Sequence, residues 1–379
     1  MSNTFLESYT HKVFSSLDND FDDNWDEFRF GSSDPVSTEH SRPKPFPHAL
    51  LEALGLTTAG AAKQKVGACK EEIARAINFI VLHIANLEWL YANLADKGSL
   101  QTLVDVVAYR ALGHRKIKLA VNCPAHWENL RLAESLVVGD KFISTGFMHF
   151  KLIEMDLNKI GYPIRFYYAP EGIVIDFIEQ QYRCQTTDFA IECETGDYAI
   201  DAGGCWGDTA LYFAHKVGAN GKVYSFEFLP DNLKIYNRNL DMNPELKRRV
   251  NLIENPIWST AGNEIAIDAN GPGTSLRPND SSLDKMRFCT ESIDHLVEAG
   301  QIEKVDFIKM DIEGAELNAL KGAEQTIRRF KPKLAITVYH SLKDFWEIPE
   351  WLDSLGLGYK FYLRHFTIHS EETVLFAKI

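Results

Sequence analysis

The segment Asp201-Ala202-Gly203-Gly204-Cys205-Trp206-Gly207-Asp208-Thr209 follows the apolar run Tyr198 to Ile200 and precedes the helical pattern Ala210 to Val217. A glycine-rich turn between strand and helix lets backbone N–H groups approach a ligand closely, where doubly wound sheets bind nucleotides. The dinucleotide fingerprint spaces its first two glycines by one residue, whereas here an acid opens the turn and Gly203 and Gly207 stand further apart. A carboxylate at Asp201 would repel a pyrophosphate, yet it accepts hydrogen bonds through the turn and favours a cationic ligand. Glu227 closes the next apolar run, Lys222 to Glu227, and is placed to accept from two ribose hydroxyls. Together these marks predict an adenosine-like ligand.

A second group is Lys309-Met310-Asp311-Ile312-Glu313-Gly314-Ala315-Glu316, at the end of the run Phe307 to Met310. Strand alternation puts Lys309 and Asp311 on one side, at the carboxyl edge where ligands bind. The position of Glu316 suits the positive end of the following helix dipole. Lys309, Asp311 and Glu313 are the candidates for chemistry. His340 ends the run Lys333 to Val338 at the same edge, so an imidazole paired with a carboxylate could take a hydroxyl proton. Alternatively, Asp311 and Glu313 could hold magnesium, which prefers oxygen ligands and keeps several waters. His365 and His369 could lie nearby, while His215 sits inside a helical pattern and is expected to be structural.

Those residues need a scaffold, and the alternation of strand and helix from residue 186 onward predicts a mainly parallel sheet with helices on both faces. Its strands are expected at Tyr198 to Ile200, Lys222 to Glu227, Val250 to Glu254, Phe307 to Met310 and Lys333 to Val338. Tyr359 to Ile368 and Thr373 to Lys378 should close the sheet as an antiparallel hairpin. Upstream, Ile73 to Leu94 predicts one long amphipathic helix, Ser99 to Ala111 and Ala125 to Leu136 two more, and Lys116 to Leu119 a short strand. Ile164 to Ala169 and Ile173 to Ile178, around Pro170-Glu171-Gly172, predict a hairpin. The Gly-, Pro- and Asn-rich stretch Ala269 to Ser282 predicts a mobile lid beside the acceptor.

Ile200 to Ala214 (IDAGGCWGDTALYFA), Gly221 to Glu227 (GKVYSFE) and Phe307 to Ala315 (FIKMDIEGA) resemble the FkbM-type methyltransferases, a family of class I S-adenosylmethionine enzymes. The resemblance runs from about Asp197 to Ile379. It implies a Rossmann-like seven-stranded sheet, S-adenosylmethionine as methyl donor, and a hydroxyl acceptor on a sugar or secondary metabolite. Carried onto this chain, Asp201, Gly203, Gly207 and Thr209 belong to the first cofactor motif and Glu227 binds the ribose. The family usually reads Phe-Glu-Pro after its second strand, but here Phe228 follows Glu227 and Pro230 is displaced. Phe228 could stack on the adenine or pack in the interior. In Asn255-Pro256-Ile257-Trp258, the stretch that lines the adenine in this family, Ile257 is the residue expected against the ring.

The implied reaction is O-methyl transfer, with Asp311, His340, Glu313 and Lys309 at the acceptor and a divalent cation as an open alternative at Asp311 and Glu313. The rival readings are a catalytically inactive binding module and an NAD-dependent nucleotide-sugar enzyme. NAD conflicts with the missing fingerprint and the closing hairpin.

The 379 residues carry 53 acidic and 40 basic side chains, a formal charge of -13, which repels phosphate backbones and argues against nucleic-acid partners. The six cysteines are scattered without metal-ligand spacing. Met1 to Asp26 lacks the basic and apolar regions of an export signal, and Ile73 to Leu94 is interrupted by Asn78, His83, Asn86 and Glu88. A cytoplasmic protein without a membrane span is therefore expected, with a homodimer left open. Length predicts a multi-part chain: a flexible acidic and Pro-rich arm over 1–48, a mainly helical domain with a hairpin over 49–185 covering the acceptor site, and the methyltransferase domain over 186–379.

Overall fold

The computed structural model describes residues 4–26, 30, 70–145, 147, 150–268, 270–277 and 286–379. The chain forms two compact units: Met1–Asn122 with Thr367–Ser370, and Cys123–Phe366 with Glu371–Ile379.

In the first unit, Phe5–Ser16 is a helix, although the sequence predicts a flexible arm there. Thr4 and Glu7 form a reciprocal capping box, and the Glu88 carboxylate accepts from the Phe5 and Leu6 amides, both at 2.9 Å. Phe5, Tyr9 and Val13 fall on one helical face and are buried. Of the expected arm, residues 1–3, 27–29 and 31–48 lie outside the described residues. The long helix expected over Ile73 to Leu94 is two, Lys70–Ile80 and Ile84–Asn93, bent by 73° at the break. Among the described residues, no single helix is long and apolar enough to cross a membrane. Lys97–Leu112 is helical as expected, capped by Asp96. Lys116 to Leu119 makes no strand; the Ile117 amide instead bonds back to the Gly113 carbonyl.

The second unit is built on seven strands: β1 Tyr198–Ala202, β2 Lys222–Phe226, β3 Val250–Ile253, β4 Phe307–Met310, β5 Lys333–Thr337, β6 Lys360–His365 and β7 Thr373–Lys378. Their order across the sheet is β6-β7-β5-β4-β1-β2-β3. The first five strands pair in parallel, and β7 runs antiparallel between β5 and β6. Every residue of β4 is buried, which explains its unbroken apolar reading apart from Lys309. Strand order reverses between β1 and β4, and ligands of open α/β sheets bind at the carboxyl ends around such a switch.

The segment expected as a hairpin is a strand, Arg165–Tyr168, followed by a π-helical turn, Ile173–Ile178. Arg165–Tyr168 pairs instead with Lys151–Asp156. A short continuous apolar run does not by itself distinguish strand from buried helix, and Asp176 within it marks a place where one side chain meets polar surroundings. Asn239, on the helix Pro230–Asp241, and Asn243, just after it, bond both backbone polar groups of Tyr167 and of Arg165 respectively, fixing this strand to the sheet unit. Residues 123–185 therefore belong with the sheet, and the boundary expected at 185 lies at 122.

Candidate functional site

Asp201 ends a buried strand and faces inward, so its charge must be met by protein groups. Thr209 Oγ1 donates to its Oδ1 at 2.8 Å, Ser225 Oγ donates to its Oδ2 at 2.7 Å, and Lys309 Nζ lies 3.1 Å from Oδ1. Lys309 also donates to the Ala202 carbonyl at 3.2 Å and the Gly203 carbonyl at 2.6 Å. Burial pulls Lys309 down, but the Asp201, Asp311 and Asp208 carboxylates outweigh it and leave it raised. The Asp201–Lys309 pair thus braces the glycine turn from beneath. Gly203 has φ 90°, and a Cβ there would stand 2.0 Å from the Asp311 carbonyl oxygen, so only glycine admits this crossing of β1 and β4. Gly207, at φ 84°, opens the helix Asp208–Val217.

A pocket at the carboxyl edge is lined by Gly203 and Cys205 of the turn, Glu227, Phe228 and Asn232 after β2, Ile257 after β3, and Asp311 and Glu313 after β4. Glu227 is buried; its Oε1 accepts from the Phe228 amide at 2.6 Å and the Leu229 amide at 2.8 Å, while Oε2 accepts from Asn232 Nδ2 at 3.1 Å. Burial pushes its carboxyl up despite these donors. Oε2 keeps acceptor capacity toward the pocket. Phe228 also packs edge-on against Phe288, at 5.0 Å between ring centres, so it combines a lining and a packing role. Gly271, Pro272 and Thr274 of the expected lid line the same pocket. Ser275–Arg277 is a strand paired with Glu264–Asp268, so this part of the lid is regular structure; residues 269 and 278–282 lie outside the described ones.

At the far end of the pocket Asp311 accepts from Tyr339 OH at 3.1 Å and Thr337 Oγ1 at 3.2 Å through Oδ1, and from Tyr182 OH at 3.4 Å through Oδ2. His340 Nε2 is 3.5 Å from both Asp311 Oδ1 and Glu313 Oε2, and Nδ1 is 3.3 Å from Glu316 Oε1. None of these contacts has hydrogen-bond geometry, and both ring nitrogens are buried without a bonded partner. Burial opposes the imidazolium, but Glu316, Glu313 and Asp311 outweigh it and hold His340 well above its ordinary value. Burial raises Glu313 against the pull of His340. Glu316 is lowered: burial is overcome by His340 and by the Ile312 amide, which donates to it at 2.8 Å. Glu313 itself adopts φ 56°, a left-handed conformation unusual for its residue type.

The structure brings Gly203, Glu227, Phe228, Ile257, Asp311, Glu313 and His340 to one edge. Asp201, Thr209 and Lys309 do not line the pocket; they form the brace below it, because a buried acid and lysine satisfy each other. Gly207 shapes the turn without lining the pocket. Glu316 cradles the loop as a helix-start acid and also faces His340. His365 bonds to Thr373, His369 belongs to the other unit beside Asp26 and Phe30, and His215 packs on Tyr162. Sequence reasoning missed Tyr182 and Tyr339, whose hydroxyls donate to Asp311.

Residues 194–361 match the model of the methyltransferase FkbM domain. The chain is 28% identical over 139 residues to the hexuronic acid methyltransferase AglP of Haloferax volcanii, covering 36% of this chain and 54% of that protein. It thus spans about half the length of this curated relative. A crystal structure of the methyltransferase FkbM from Methylobacillus flagellatus aligns over 87% of this chain and 69% of its own, at 19% identity and a TM-score of 0.47. Aeropyrum pernix fibrillarin, solved with S-adenosylmethionine bound, aligns over 63% of this chain and 100% of its own, at 11% identity and a TM-score of 0.36. Residues 194–361, which carry the five parallel strands of the sheet, are thus similar to the methyltransferase FkbM domain.

Proposed function

We propose that this chain transfers the methyl group of S-adenosylmethionine to a hydroxyl oxygen of a small-molecule acceptor, foremost a sugar. The observation that carries this reading is one pocket with a ribose-suited acid, Glu227, at one end and the Asp311, Glu313 and His340 cluster at the other. The hexuronic acid named for the Haloferax volcanii relative favours a sugar. In the transfer the acceptor oxygen attacks the methyl carbon in line with the sulfonium sulfur; the C–O bond forms, the C–S bond breaks and the hydroxyl proton leaves. Positioning supplies most of the acceleration.

His340, held protonated by three carboxylates, is a poor resting base, so Asp311 is the group that takes the proton and His340 stabilises its charge. A second reading rests on the unbonded imidazole nitrogens. Asp311, Glu316 and His340 offer donor atoms within 4.8 Å of one another, so these three side chains would hold a divalent cation. Such an ion would acidify a bound hydroxyl.

The test is transfer of labelled methyl from S-adenosylmethionine to a panel of neutral sugars, uronic acids and amino sugars, with base-stable ether products read by mass spectrometry. O-methylation is expected. Asp311→Asn should lower turnover by about 100-fold or more, the scale of a lost general base. Loss of activity in excess chelator, restored by magnesium or manganese, selects the cation reading; unchanged turnover with chelator selects proton transfer to Asp311. Binding of NAD in place of S-adenosylmethionine would overturn both.

A further inference from the structure

We propose that Glu313 selects the acceptor by charge: it admits a sugar that is neutral or carries an ammonium beside the reacting hydroxyl, and turns away a sugar carboxylate. This rests on the O-methyl transfer reading above. The acceptor end of the pocket is built from acids. Asp311 and Glu313 both line it, and Glu316 faces the far ring nitrogen of His340. Among the described residues, those that line the pocket include no lysine, arginine or histidine. Lys309 brings no positive charge to the opening, because it is buried against Asp201 and donates to the Ala202 and Gly203 carbonyls.

His340 does not offset these acids toward a ligand. Its side chain is 10% exposed, against 19% for Asp311 and 31% for Glu313, so the carboxylates stand nearer the opening than the ring. Nε2 lies 3.5 Å from an oxygen of each acid and is buried without a hydrogen bond, which leaves a polar group for a ligand to complete. It can offer one N–H at most, whereas both carboxylates only accept. A hydroxyl suits this setting, since it gives a proton to a carboxylate and accepts from Nε2. An ammonium gives to both carboxylates. A third carboxylate is itself an acceptor, and would meet two like charges against a single donor.

The two pocket acids differ in what the protein already asks of them. Asp311 accepts from the hydroxyls of Tyr339, Thr337 and Tyr182. Glu313 has only the 3.5 Å approach of His340 Nε2 among the described residues, so its acceptor capacity is open to a ligand. It is also held in place at a cost, with φ 56° followed by φ 89° at Gly314; glycine takes such a conformation freely and glutamate does not. Side chains kept in this region cluster where a ligand is clamped. Glu313 is thus the acid that reads the group next to the reacting oxygen, while Asp311 receives the proton.

Turnover of matched hexose, hexosamine and hexuronate methyl glycosides, with S-adenosylmethionine saturating, tests this. In the unaltered protein kcat/KM for the hexuronate should lie at least about tenfold below that for the hexose, with the hexosamine within about threefold of the hexose. Glu313→Gln, which removes the charge and keeps the shape, should shrink the hexuronate deficit to about threefold or less. Glu313→Gly suits the left-handed backbone and should do the same, covering the case of a Gln variant that fails to fold. A hexuronate used as well as the hexose by the unaltered protein overturns the assignment. So does a Glu313 variant that lowers all three acceptors by one common factor, the mark of a purely structural role. Hexuronate turnover lifted to the hexose level by added magnesium overturns it too, in favour of a cation among the acids. Methylation of none of the three sinks the sugar O-methylation reading itself, a result distinct from a changed order among them.

Discussion

His340 is the side chain whose charge decides what the pocket edge can do. A histidine raised in the folded state contributes stability that is fully present below its ordinary value of about 6.5 and is lost as pH rises through the folded value. The expected outcome is an imidazole resonance that does not titrate between about pH 5.5 and 7.5 by NMR; a midpoint near the ordinary value would refute the three-carboxylate cage. In His340→Gln the neighbouring acids lose their counter-charge, so Glu316 should titrate higher than in the parent. At Glu227, replacement by Gln leaves a pocket-facing amide and forfeits a charged acceptor. We expect cofactor binding to weaken by about 1.5 to 3 kcal/mol in calorimetry. Residue types at this edge were legible because their chemistry is rare in apolar strands; Lys309 misled because sequence shows a charged side chain at the site's edge and not the buried partner, Asp201, that claims it.

At the scale of elements, the meeting of β1 and β4 has the least tolerance. Gly203→Ala combines a left-handed backbone with a Cβ 2.0 Å from the Asp311 carbonyl, so one strand end must shift. The expected cost is roughly 3 kcal/mol or more, with loss of cofactor binding, read by denaturant melts and calorimetry. Lys309→Met should be as damaging, about 3 to 5 kcal/mol, because it strands the Asp201 carboxylate in the interior. A melting point unchanged by that substitution would show that Asp201 takes a proton in place of its partner. Parallel strands were readable because burial on both faces writes an apolar run. The break after Ile80 was not, since both helices keep the same apolar spacing across it, and neither a glycine nor a proline stands at the bend.

Across the whole molecule, the least legible feature was where one unit ends. Composition changes near residue 185, at the point where the strand–helix alternation begins, and the resemblance to the family begins shortly after, at about Asp197. Burial follows a different line. Tyr162, Phe166, Ile173 and Phe177 share one core with Tyr212 and Phe213, on the helix that follows the glycine turn. Phe177 meets Tyr212 edge-on at 5.8 Å, and Tyr182 meets Phe213 at 5.8 Å. The preceding segment also carries Tyr182 to Asp311 at the pocket edge. A chain beginning at residue 186 would expose the apolar face of that helix and leave Asn239 and Asn243 without the backbone they bond. Each aromatic ring uncovered costs about 2 to 3 kcal/mol, so loss of several is comparable to the usual total stability of a domain. The expected outcome for residues 186–379 is an aggregating or molten product that fails to bind S-adenosylhomocysteine. Cooperative unfolding and parental affinity in that fragment would show that residues 186–379 are self-sufficient and that the upstream segment serves only the acceptor.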